Sequence, residues 1–231
     1  MTQNRSLKFT VSVIIPTLNE VEAIEEVVRS VPRSLSPPTQ IMVIDGCSND
    51  GTAERAKAAG AEVIAEEQSG YGGAVLTGLR YAKGNVIVLT DGDGTYSLQD
   101  IPKLIQPITE GQADIVIGSR FLGKMQDGAM PLVNRIGNRI LTWIYNLLYN
   151  ENITDTQSGL RAFKRELFKD LTKYNPDFTF LQTVLIEASK EGKRIAEIPT
   201  CYRPRKGNSK LNPLKDGYKI LSVIIRSKFT N

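Results

Sequence analysis

The first hundred residues alternate short β-branched runs with helical spacing, and this alternation constrains the chain more than any other feature. Val11-Ser12-Val13-Ile14-Ile15 reads as a buried strand, and Asn19 stands where it could cap a helix carrying Ile24, Val27, Val28 and Val31 on one face. Ile41-Met42-Val43-Ile44-Asp45 is a second strand, closed by a Gly-Cys-Ser-Asn-Asp-Gly turn and followed by an alanine-rich helix from about Thr52 to Ala59. Val63-Ile64-Ala65 and Asn85 to Thr90 are further strands, and Ile115 to Gly118 is a fifth. Strand, loop and helix in this order predict an α/β fold, a mostly parallel sheet flanked by helices and joined by right-handed crossovers. Ligands of such sheets bind beyond the carboxyl ends of the strands, so chemistry is expected in the loops that hold Asn19, Glu20, Asp45, Gly70, Asp91 and Asp93.

The second half reads differently. A segment with Gly123, Gly128 and Pro131 is expected to be a loop, followed by helices from Ile136 to Tyr149 and from Phe180 to Lys190. A short strand from Arg194 to Ile198, a basic loop from Arg203 to Lys210 and an amphipathic helix from about Pro213 to Lys228 close the chain. No internal repeat and no Pro/Ser-rich linker divides it, so residues 1–231 are expected to form one domain. Charge does divide it. Residues 1–115 carry 9 Lys/Arg against 15 Asp/Glu, and residues 116–231 carry 20 against 10. A basic half suits phosphates or anionic headgroups; nucleic acid is disfavoured, since no helix-turn-helix, zinc finger or aromatic-basic RNA motif is present.

The chain contains no histidine, which removes Ser-His-Asp and Cys-His catalysis and His-ligated zinc together. Its chemistry must run on carboxylates, lysine, arginine, hydroxyls and backbone groups. Cys47 and Cys201 are expected to be reduced thiols of a cytoplasmic protein, and neither a secretory leader nor an apolar run of membrane-spanning length is read. Asp91-Gly92-Asp93 directly follows the run Val86-Ile87-Val88-Leu89, and two carboxylates so placed can hold a hard divalent cation, Mg²⁺ or Mn²⁺, that bridges to phosphates. Alone, such a pair is more often a plain turn. Ser69-Gly70-Tyr71-Gly72-Gly73 opens a helix with glycine and could approach a phosphate through its amides.

Taken in order, Pro16, Asn19, Glu20, Asp45, Gly46, Ser48, Asp50, Gly51, Thr52, Asp91 and Asp93 resemble the strand-end motifs of the family 2 glycosyltransferases of GT-A fold. Gly118-Ser119-Arg120, Asp155-Thr156-Gln157-Ser158-Gly159 and Arg205-Lys206-Gly207-Asn208-Ser209-Lys210 look like the branch of dolichol-phosphate mannosyltransferases and polyprenyl-phosphate sugar transferases. The resemblance covers about residues 11 to 220. It implies a Rossmann-like GT-A sheet and a nucleotide-sugar half, about 1–118, joined to an acceptor half, about 119–231.

It also implies roles. Pro16, Thr17, Asn19, Glu20 and Asp45 would bind the nucleotide diphosphate sugar, joined by Gly70 if its glycine turn meets a phosphate, and Asp91 and Asp93 a cation that neutralises the diphosphate as leaving group. Attack from the opposite face would invert the anomeric centre. A polyprenyl phosphate, dolichyl or undecaprenyl, is ionised at neutral pH and needs cations more than a base, and Arg120, Arg135, Arg205, Ser209 and Lys210 match basic or adjoining places of that branch. Arg139, one turn past Arg135, is a further cation or plain surface. A sugar or glycerate hydroxyl would instead need a base, for which Asp155 is the carboxylate. A third reading is a non-catalytic nucleotide- or lipid-binding module, against which Asp91 and Asp93 speak. Thr95 stands where the mannosyltransferase pattern has a glutamine that helps hold the metal. Contact with a membrane surface would come from Leu214, Tyr218, Leu221 and Ile225, and from Ile136, Ile140, Ile144, Leu147 and Leu148; the same spacing suits a core or a homo-oligomer interface.

Overall fold

A computed structural model describes residues 10–32, 35, 39–174, 176–207 and 212–229. Among them a seven-stranded sheet runs in the order β3-β2-β1-β4-β6-β5-β7. The strands are β1 (Val11–Thr17), β2 (Gln40–Asp45), β3 (Glu62–Ala65), β4 (Val86–Leu89), β5 (Ile115–Ser119), β6 (Arg161–Lys164) and β7 (Ile195–Pro199). Only β6 runs against its neighbours, pairing antiparallel with β4 and β5, so six strand ends point the same way.

The helices are α1 (Ile24–Ser30), α2 (Thr52–Ala58), α3 (Tyr71–Tyr81), α4 (Ile101–Thr109), α5 (Leu132–Tyr149), α6 (Phe180–Lys190) and α7 (Pro213–Phe229). They cover both sheet faces, which is why the central strands read as unbroken apolar runs rather than alternating ones. Ile14, Met42, Ile44, Ile87 and Leu89 point to the face packed by α3, α5, α6 and α7, while Val13, Ile15, Val43, Val86 and Val88 point to that packed by α1, α2 and α4. The first core includes buried Leu141 and Tyr145 of α5 and Ile220 and Ile224 of α7. Tyr149 ties these two helices together, its hydroxyl donating to the Ile224 carbonyl at 3.0 Å.

The sheet agrees with the mostly parallel reading, with two additions and one correction. Helix α4 buries Ile101, Leu104, Ile105 and Ile108, a full i, i+3, i+4, i+7 stripe that Pro102 and Pro107 disguise in sequence. Strand β6 is only four residues, with charged residues at both ends, and it becomes a strand because β4 and β5 leave a place between them. Asn19 does not cap α1: the helix starts at Ile24, and Asn19 takes the left-handed region at φ 52° in the preceding loop. Along α5 the outward apolar positions are Leu132, Ile136, Ile140, Trp143 and Leu147, whereas Ile144 and Leu148 pack towards the core.

Candidate active site

The loops after β1 and β2 are stitched into one surface. The Asn19 amide donates to Ser48 Oγ at 2.8 Å, the Asn49 amide to Asn19 Oδ1 at 3.0 Å, and the Glu20 amide to Thr52 Oγ1 at 2.8 Å. Asp50 fixes the turn by accepting from the Val21 and Thr52 amides. Thr17 is buried, its hydroxyl donating to the Ile44 carbonyl at 3.3 Å, and the carbonyl of Thr17 accepts the Gly46 amide at 2.8 Å. Pro16 lies in the same strand end, paired with Ile44. Asp45 accepts the Ser48 amide through Oδ2 at 3.0 Å, but its Oδ1 is buried without a hydrogen-bond partner. A buried carboxylate oxygen left open is costly unless a ligand donates to it.

At the end of β4 the two aspartates are held differently. Asp93 Oδ1 accepts from the Thr95 amide at 3.0 Å and the Thr95 hydroxyl at 2.7 Å, so Thr95 braces a carboxylate rather than offering a third metal oxygen. Asp91 rests against the Asp155–Gly159 loop, where a Cβ added to Gly159 would stand 2.4 Å from its Oδ2. Burial first, and then the neighbouring Asp93 charge, push the Asp91 carboxyl up to about 7, against the pull of Arg120 and Arg205. Two crowded carboxylates that resist joint ionisation are a donor set suited to a divalent cation, with phosphate and water oxygens to complete it. Among the described residues no cluster of three or more His, Cys, Asp and Glu side chains able to hold a metal is found.

Residues from the far end of the chain complete the site. Arg205 reaches back to Glu20 and stands 3.3 Å from Asp93 Oδ2, and Lys206 pairs with Glu26. Its loop is anchored by backbone bonds, the Arg203 amide to the Thr95 carbonyl at 2.9 Å and the Lys206 amide to the Asp93 carbonyl at 3.2 Å. Arg205, placed by sequence on the acceptor side, thus sits directly on the donor-side acids. Ser209 and Lys210 lie outside the described residues. Arg135 is not brought to this cluster: it is exposed in the first turn of α5, and no hydrogen bond or ion pair joins its guanidinium to another described residue.

Three residues sit differently from their expected roles. Asp155 is fully buried and its carboxylate is spent on Arg120, accepting from Nε at 2.7 Å and Nη2 at 2.8 Å, so it is not placed to deprotonate an acceptor. Arg120 in turn is buried, its guanidinium 5.3 Å over the Tyr202 ring, and the pair forms a brace under the site rather than a free phosphate ligand. Gly70 is the third. Burial pushes the Glu66 carboxyl up while the neighbouring Gly70 amide pulls it back, and the Gly73 amide donates to the Pro176 carbonyl at 3.0 Å, so the Gly73 N–H is committed to a protein group. The glycines of this turn serve packing: a Cβ on Gly72 would lie 2.4 Å from the Asp177 carbonyl oxygen.

Three side chains escaped the sequence reading. Tyr96 accepts the Gly159 amide at 2.7 Å and packs edge-on against Tyr202. Arg161, wholly buried in β6, donates to the carbonyls of Thr156, Ser158 and Leu181 and so shapes the loop that carries Asp155. Glu197 accepts the Thr154 and Asp155 amides at 2.7 and 3.0 Å. Tyr96 and Glu197 act across many residues of chain, and the only local signal was an aromatic three residues past Asp93 and an arginine inside an apolar segment.

Comparison with known proteins agrees with this arrangement. The family model for Glycosyl transferase family 2 matches residues 12–172. Glycosyltransferase AglJ of Haloferax volcanii is 38% identical over 224 residues, 96% of this chain and 73% of the relative. The dolichyl-phosphate hexose transferase of the same organism is 34% identical over 215 residues, 93% of this chain and 92% of the relative. Among solved structures, glucosyl-3-phosphoglycerate synthase from Mycobacterium tuberculosis, determined in complex with Mn²⁺, uridine-diphosphate-glucose and phosphoglyceric acid, superposes with a TM-score of 0.76 at 24% identity, covering 96% of this chain and 81% of that one. The motifs at the strand ends, the sheet that presents them and the matched relatives agree: the chain belongs to glycosyl transferase family 2, with the GT-A fold, and is a glycosyltransferase.

Proposed function

We propose that this enzyme transfers a hexose from a nucleotide diphosphate sugar to a polyprenyl phosphate, dolichyl or undecaprenyl, with inversion at the anomeric carbon. The observation that carries the reading is the Arg120–Asp155 pair. The carboxylate best placed by sequence to act as a base is paired with a buried guanidinium, which favours an acceptor that needs no base. A phosphate oxygen meets that condition, being ionised already, and the cationic Arg203–Gly207 loop lies over the donor acids to receive it. The relative named dolichyl-phosphate hexose transferase, matched over 92% of its length, supports the same acceptor.

In this reading residues 1–118 form the donor half and residues 119–231 the acceptor half of one domain. The open Asp45 oxygen can accept a hydrogen bond from a base, which would suit the one imide N–H of uracil. Asp91 and Asp93 would hold Mg²⁺ or Mn²⁺, whose chemistry is to neutralise the departing diphosphate. Glu20 and Thr17 line the ribose and base side, and Arg205 exchanges its present carboxylate partners for phosphate oxygens. The bond from the anomeric carbon to the diphosphate breaks as the bond to the acceptor phosphate oxygen forms on the opposite face, and the nucleoside diphosphate leaves with the electron pair. Such an acceptor lives in a membrane, so the protein works at its cytoplasmic face; no helix among the described residues is long and apolar enough to cross one.

The test is transfer of radiolabel from a panel of nucleotide sugars to a short-chain polyprenyl phosphate, counted in the organic phase. Label there, abolished by EDTA, is the expected result and names the sugar. Donor hydrolysis with no organic-phase label overturns the lipid acceptor and turns the search to hydroxyls.

A further inference from the structure

Helix α5 packs into the core through Leu141, Thr142 and Tyr145, yet leaves a second apolar stripe in solvent. Leu132, Ile136, Ile140, Trp143 and Leu147 recur at intervals of three and four and lie on one face, with Trp143 64% and Leu147 67% exposed. The neighbouring α7 repeats the arrangement with Leu214, Tyr218, Ile225 and Phe229, of which Leu214 and Phe229 are 80% and 81% exposed. Scattered apolar residues on a surface need no explanation, but two packed helices each with an apolar stripe in water do.

The charges around the stripes select what covers them. Helix α5 carries Arg135 and Arg139 and no acidic residue; α7 carries Lys215, Lys219, Arg226 and Lys228 against Asp216 alone. A second copy meeting this face in a two-fold dimer would set cation against cation. An anionic bilayer surface gains from both features, taking the apolar side chains into its boundary and the cations at its headgroups. Trp143 and Tyr218 are ring types that settle at that depth. The geometry points to the outward face of α5, extended by that of α7, as the surface by which this enzyme lies on a membrane rich in anionic lipid. The inference rests on the lipid-acceptor reading for its purpose, but its test does not.

Trp143 is the chain's single tryptophan and reports the contact directly. The full chain is mixed with vesicles of phosphatidylcholine alone, or with about one-third phosphatidylglycerol, neither containing polyprenyl phosphate. Expected are flotation with the anionic vesicles and a blue shift of Trp143 emission. Ile140→Ser/Leu147→Ser should weaken that binding at least about tenfold, since two exposed apolar side chains are lost from the contact. Arg139→Glu/Lys219→Glu should remove the preference for anionic lipid. Both double variants change exposed positions, and unaltered thermal unfolding checks that the fold is kept. Absence of flotation and of the blue shift in wild type overturns the proposal, as does equal binding by Ile140→Ser/Leu147→Ser. A lipid-free dimer that this variant dissolves, with vesicles ignored, makes the face a self-interface and overturns it too. Transfer to detergent-dispersed polyprenyl phosphate separates the two readings: it survives the stripe variants if only the docking face is lost, and is absent from wild type if the acceptor assignment fails.

Discussion

Asp91 and Asp93 on one side of the site, and Asp155 on the other, have the same carboxylate and similar motif company in sequence, yet opposite electrostatic standing. Asp91 shares its surroundings with another acid and has its carboxyl pushed up to about 7. Asp155 is closed off by a two-point guanidinium contact with Arg120 and two amide anchors from Glu197 to its own loop. The lesson is that unbalanced charge marks where a ligand belongs, and balanced charge marks what holds the site up.

The strongest way to break that contrast is to remove the unbalanced pair. Asp91→Asn or Asp93→Asn should lower transfer on the order of a thousandfold, because a position for the cation and its charge is lost. Neither should lower thermal stability, since each relieves repulsion between neighbouring like charges. Kinetics and thermal unfolding on the same preparations check both halves. A stable, fully active Asp93→Asn enzyme would end the metal assignment.

The balanced pair should answer in reverse. Asp155→Ala leaves a buried guanidinium without a partner and should cost about 3 kcal/mol of stability, with a fall in melting temperature of roughly 10 °C. Arg120→Met in the same chain should recover most of it, as replacing both charges removes the stranded one. Asp155→Asn is the sharper probe: if melting is unchanged while turnover vanishes, Asp155 does chemistry, and the hydroxyl-acceptor reading returns.

How much of this contrast could be read before the structure depends on distance along the chain. The central parallel strands were legible because burial on both faces leaves long apolar runs, and α6 and α7 because their spacing is periodic. Strand β6 was not, since Arg161-Ala162-Phe163-Lys164 is short and charged at its ends and is made a strand by β4 and β5. The Asp91/Asp93 pair announced itself locally. Asp155 did not reveal its state, because its partner Arg120 lies 35 positions away and Glu197 lies 42 from it. The same applies to Arg205, whose contact with Glu20 spans 185 positions.

Arg205 lies between the two cases, a cation on unbalanced acids, and its removal should have an intermediate effect. Arg205→Ala should reduce transfer to polyprenyl phosphate by about thirtyfold, the scale of one charge-assisted contact of about 2 kcal/mol, and reduce donor hydrolysis much less. Parallel assays of transfer and hydrolysis decide it. Equal losses in the two would place Arg205 with the donor alone.

The smallest effect is expected at a balanced carboxylate near the surface. Asp114, just before β5, accepts from Lys164 Nζ at 2.6 Å and from Arg194, joining β6 to the approach of β7. The Arg194 guanidinium, helped by the Lys164 ammonium, holds its carboxyl well below the usual carboxylate range, against the opposing push of burial. A group whose folded-state pKa is depressed stabilises above its unfolded pKa, near 4, and that contribution fades as pH falls below it. Asp114→Asn should therefore lose about 1 kcal/mol at neutral pH, since solvent around the half-exposed Arg194 screens the pair. Denaturant unfolding at pH 7 and at pH 3 checks the sign: the gap between wild type and variant should narrow on acidification. A gap that stays constant would mean that Asp114 acts through packing and hydrogen bonding alone, and that balanced charge contributes nothing measurable where water reaches it.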